Sequence, residues 1–63
     1  MYRRVWMITC NTDGFKYKVF VEATEVNLLQ FMKTEIPNAT KYVGATEEEV
    51  KAANILKLPI YLI

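Results

Sequence analysis

The chain has 63 residues, 52% of them apolar, with one Trp, four Tyr and three Phe, a single cysteine, no histidine and a formal net charge of +1. That length holds one small domain over residues 1–63, and a chain of about 60 residues buries only roughly 60% of the surface its unfolded form exposes. One cysteine excludes an intrachain disulfide and the missing histidines exclude the usual structural zinc sites, so no metal and no cofactor is expected; a dense core or a second subunit remains as the source of stability.

The small net charge hides a polarised distribution. Residues 1–21 carry Arg3, Arg4, Lys16 and Lys18 against Asp13, whereas residues 22–49 carry six glutamates against Lys33 and Lys41. The apolar run Val5–Ile8 is shorter than the ~7–15 residues of a signal-peptide core. No run approaches the ~18 apolar residues of a membrane span. A lone thiol without an export signal fits a reducing, cytoplasmic setting, where the acceptor pattern Asn38-Ala39-Thr40 would not be glycosylated.

"YRRVWMITC" is rich in β-branched and aromatic residues, and "FKYKVFVEA" alternates from Phe15 to Ala23. The intervening "NTDG" marks a hairpin, with Gly14 able to take the left-handed conformation and Asn11 or Asp13 able to accept backbone hydrogen bonds. Two registers compete. A type I turn closed by a Gly14 bulge sets Asn11 opposite Phe15, Trp6 opposite Phe20 and Ile8 opposite Lys18. Setting Cys10 opposite Phe15 instead puts Trp6 and Ile8 on one face with Val19 and Tyr17. A one-residue slip moves every first-strand side chain to the other face relative to its partner strand. In both, Phe20 remains a large apolar residue on the face opposite Val19 and Val21, so neither face of the hairpin is expected to be simply wet.

"ATEVNLLQFMKTEIPN" predicts a helix with Thr24 as N-cap and Glu25 favourably placed at the positive end of the dipole. Leu28, Leu29, Met32 and Ile36 recur at helical spacing, and Pro37 ends the helix near Glu35. Thr40, Tyr42 and Val43 predict a brief strand. Thr46 and Glu49 fit a reciprocal capping box for a second helix through Val50, Ala52, Ala53, Ile55 and Leu56, which stops before Pro59. "IYLI" then reads as a strand, near-continuously apolar as strands buried on both faces are, with most of its surface expected in the core. The fold class is α+β, or small α/β, in the order β-β-α-β-α-β. A mixed four-stranded sheet with an N-terminal antiparallel hairpin packs against two helices, and its strand–helix–strand crossovers are right-handed.

Catalytic chemistry is hard to assemble from these residues. Cys10 lacks the histidine that usually makes a reactive thiolate, and it reads as a small strand residue. Glu47, Glu48 and Glu49 diverge by ~100° per residue around a helix, and capping explains them better than a metal does. Glycine-rich phosphate loops are absent. What stands out is an aromatic and basic set, Trp6, Ile8, Phe20, Arg4, Lys16 and Lys18. In the bulged register, Trp6, Phe20, Arg4, Lys16 and Lys18 share one sheet face. Aromatics at the centre of a patch favour a protein partner or a second copy; aromatics interleaved with cations also fit single-stranded nucleic acid. The expected role is a non-enzymatic protein-interaction or regulatory module, acting with a protein partner or as a homodimer. The alternative is a weak single-strand binder.

Overall fold

The computed structural model describes residues 2–63. Its elements are β1 (Arg3–Thr12), β2 (Phe15–Thr24), α1 (Glu25–Glu35), β3 (Ala39–Gly44), α2 (Glu47–Ile55) and β4 (Ile60–Leu62). They form one mixed sheet in the order β3-β1-β2-β4. β1 pairs antiparallel with β2 and with β3, while β2 and β4 are parallel. The expected element order, antiparallel hairpin and two-helix sheet are all present.

The hairpin adopts neither of the two anticipated registers. Thr12 pairs with Phe15, so only Asp13 and Gly14 lie outside the ladder, with φ of 52° and 86°. Two successive positive φ values are the mark of a type I′ turn, whose twist matches that of the strands better than a type I turn does. Asp tolerates this conformation and Gly has no Cβ to obstruct it. The Asn11 Oδ1 accepts the Gly14 N–H at 3.1 Å, steadying the loop. Trp6 therefore pairs with Val21, Met7 with Phe20, and Ile8 with Val19. Trp6 and Ile8 share their face with Val19 and Tyr17, but Cys10 stands opposite Tyr17 and not Phe15. Phe20 lies on the other face.

Both helices begin at their expected caps. Thr24 Oγ1 accepts the Asn27 N–H at 3.3 Å. Thr46 and Glu49 form the capping box in both directions, at 2.9 and 3.2 Å. α1 leads from β2 to β3 and α2 leads from β3 back across the sheet to β4, so right-handed connections set the two helices on opposite faces. On the α1 face, Ile8, Cys10, Val21 and Ala23 are fully buried with Leu28, and Phe31, Met32, Tyr42 and Ile63 pack around them. On the α2 face, Phe20 and Ala53 are buried, and Val5 borders a recess with Val50. α2 closes with the N–H of Leu58 on the Ala53 carbonyl and that of Lys57 on the Asn54 carbonyl. This is the Schellman arrangement, with Lys57 at φ 59° where glycine is usual.

β4 departs from expectation. It is a three-residue edge strand and is not buried on both faces: Tyr61 and Leu62 are 52% and 72% exposed. Only Ile60 and Ile63 are half-buried. Among the described residues β4 pairs along one side only, with β2, which is flanked on its other side by β1. Arg3 clamps the strand in place: its guanidinium donates to the carbonyls of Ile63 at 2.7 Å and Glu22 at 3.0 Å, and it pairs with the Glu22 carboxylate at 3.9 Å. No helix among the described residues is long and apolar enough to cross a membrane.

Candidate functional site

The register divides the six candidate residues between the two faces of the sheet, so they do not make one patch. Arg4, Trp6 and Ile8 lie on the α1 face; Lys16, Lys18 and Phe20 lie on the α2 face. Ile8 is fully buried and Phe20 is 7% exposed, which leaves neither available to a partner on the folded chain. A type I′ loop holds two residues where a bulged type I loop holds three, and that one-residue difference separates Trp6 from Phe20.

Trp6 is a half-buried wall of the core. Its indole N–H donates to the Ala23 carbonyl at 3.0 Å. Its ring meets Tyr42 edge-on, with centroids 5.6 Å apart and planes at 69°. The Arg4 guanidinium lies 5.2 Å from its centroid, a cation–π distance. That guanidinium also crosses Gly44, where a methyl group would run into it. Tyr42 completes the cluster by donating its hydroxyl to Glu25 at 3.1 Å, which raises the phenol pKa because ionisation would lose the bond and set two negative charges together. The Trp6 N–H and the Tyr42 hydroxyl are thus both committed to partners within the fold.

Cys10 is a packed strand residue. It has no exposed surface, and burial pushes its thiol pKa up, with a hydrogen bond involving Tyr17 acting weakly the other way. A raised thiol is the reverse of what nucleophilic catalysis requires. Among the described residues, no three His, Cys, Asp or Glu side chains gather closely enough to hold a metal ion. Asn38, in the acceptor pattern, spends its amide on Thr12 and Tyr17, both at 2.7 Å.

Two surfaces remain open. The first is the run from the end of α2 through β4. Ile55 is 79% exposed, Leu56 68%, Leu58 43%, Tyr61 52% and Leu62 72%, so five of the most apolar exposed side chains fall within residues 55–62, beside an unpaired sheet edge. The sequence pattern held a signal for part of this. Val50 and Ala53 mark the inward stripe of α2, and Ile55 sits five positions past Val50 and two past Ala53, off that stripe. The second surface is the hairpin-side half of the α2 face, where Met7, Thr9, Lys16, Tyr17, Lys18, Thr40, Lys41 and Val43 border a recess of ≈510 Å³. Lys41 enters this group because β3 pairs Thr9 with Lys41 just as β2 pairs Thr9 with Lys18. No family model, no curated protein and no solved structure matches this chain.

Proposed function

We propose that the chain is a small non-enzymatic interaction module whose contact surface is the β4 edge and the apolar residues that lead into it. One observation carries the reading: exposed Ile55, Leu56, Leu58, Tyr61 and Leu62 flank a strand whose outer backbone groups pair with no other strand. Sheet edges recruit extended segments through backbone hydrogen bonds, while pockets and side chains beside the edge select the sequence. Natural edges are usually blunted with charge or proline; here Lys57 and Pro59 precede the strand and none of its own residues is charged. The polarised charge of the chain would orient the partner rather than hold it.

The test uses two exposed positions whose replacement leaves the core untouched. The parent chain is expected to retain a stoichiometric protein partner from native extract, or to self-associate in sedimentation. A Leu56→Glu, Leu62→Lys double variant with an unchanged circular dichroism spectrum is expected to lose that association. A parent chain that binds nothing and sediments as a monomer at all concentrations overturns the proposal, as does a double variant that associates as well as the parent.

A further inference from the structure

The α2 face of the sheet is covered over only part of its length. α2 occupies the side of Val5 and Phe20. Toward the hairpin the face is open and basic. Lys41, Thr9 and Lys18 form a row across β3, β1 and β2, with Lys16 beyond it, and Met7 pairs with Val43 in the next row. Strands lie ≈4.8 Å apart and same-face residues ≈6.6 Å apart along a strand, so the three lysine stems rise from an area about one helix wide. None of the three is in an ion pair among the described residues, where the pair found is Arg3–Glu22. Lys18 does help hold the Glu49 carboxyl below its ordinary range, after the Thr46 hydrogen bonds that contribute more.

The acidic complement is in the same chain. Glu47 and Glu48 are exposed in the first turn of α2; Glu47 and Lys51 lie on the flank bordering the Val5 recess, and Ala52 and Ile55 lie away from the inward Val50 and Ala53. Resting on the interaction-module reading but using a surface that shares only Ile55 with the β4 edge, we propose that a second copy of this chain docks face to face here, α2 of each copy lying over the open lysine-lined half of the other's sheet. Glu47 and Glu48 of one copy meet Lys16, Lys18 and Lys41 of the other, and Ala52 and Ile55 face the Met7–Val43 floor. Lys51 follows one turn after Glu47 and Glu48, so only the first turn of the helix can stand over the lysines. A two-fold arrangement uses the same patch on both copies and closes at two. A second copy fits better than a nucleic-acid strand, because Phe20 is buried, the single aromatic bordering the recess, Tyr17, is held by the Asn38 amide, and the apolar floor has no counterpart in a phosphate backbone.

Sedimentation of the purified chain across concentration is expected to show a monomer–dimer equilibrium that weakens as salt rises. Lys16→Glu, Lys18→Glu, Lys41→Glu in one chain, and Glu47→Lys, Glu48→Lys in another, are each expected to raise the dimer dissociation constant by about a hundredfold, since several modest charge pairs reverse sign together in both halves of the interface. Mixing the two variants restores attraction on both sides and returns a one-to-one dimer. A monomeric parent overturns the inference, as does a mixture that stays monomeric. A dimer that ignores both charge variants but dissociates with Leu56→Glu, Leu62→Lys also overturns it, while leaving the β4-edge reading in place. A monomeric parent that binds a labelled oligothymidylate at low salt, and loses it with the lysine variant, reassigns the recess to nucleic acid.

Discussion

Cys10 shows how burial decides what a side chain can do. Its position beside the turn in sequence gives the thiol an exposed appearance, yet pairing with Tyr17 on the α1 face removes it from solvent. A thiol whose folded pKa is raised contributes stability that is whole below the ordinary thiol range, about 8.5, and is lost as pH rises through the raised value. Urea midpoints are therefore expected to fall as pH rises above about 8.5, and this slope should flatten in Cys10→Ala. Tyr42, raised by its bond to Glu25, adds a loss of the same sign above about pH 10. A disulfide-exchange reagent should label native Cys10 far more slowly than the urea-unfolded chain; equal rates would show that the thiol is not held in the core. Trp6 makes the same point from the opposite side. Its size and aromaticity mark it in the sequence as a contact residue, but what fixes its role is the carbonyl of Ala23 opposite its N–H, and pairing partners are not legible until the register is known.

Elements whose ends are set by local chemistry were legible; those set by long-range pairing were not. Thr24, Thr46 and Glu49 cap the helices where their side chains dictate, because a cap satisfies amides only two or three residues away. The hairpin register depends instead on whether the loop holds two residues or three, a small difference in turn energy that reassigns a whole strand to the other face. The place of β4 is hidden for a related reason: an apolar run of four cannot declare whether it lies at the centre of a sheet or at its edge. The capping box gives a measurable element-scale consequence. Thr46→Ala is expected to cost about 1 kcal/mol and to lower Tm by about 4–8 °C. The hydrogen bonds from Thr46 hold Glu49 below the ordinary carboxyl range, so its contribution is present above about pH 4.3 and is lost as pH falls through the lowered folded value. Glu49→Gln keeps an oxygen for the Thr46 N–H but removes the charge, so its acid-unfolding limb should be shallower than that of the parent. An identical limb would mean that Glu49 titrates alike in both states.

At the scale of the whole molecule, the segment Ile60–Ile63 has two roles that its residues divide between them. Ile63 packs against the Leu28 core, its N–H donates to Glu22, and its carbonyl accepts from Arg3, while Ile60 pairs with Phe20 on the other face. Tyr61 and Leu62 point their surface to solvent. A chain of this length holds a folding free energy of only ~3–9 kcal/mol. Removing two half-buried isoleucines forfeits about 1 kcal/mol or more each, and each backbone or Arg3 hydrogen bond lost adds about 1 kcal/mol. It also bares the edge of β2, where Val21 is fully buried in the intact fold. Deleting Ile60–Ile63 is therefore expected to abolish the cooperative thermal transition, whereas Leu62→Ser in the full chain should shift it by no more than about 4 °C, the size of a surface substitution. The contrast separates the two roles: if the deletion variant still melts cooperatively, β4 is not part of the folding unit, and its apolar residues serve the contact surface alone.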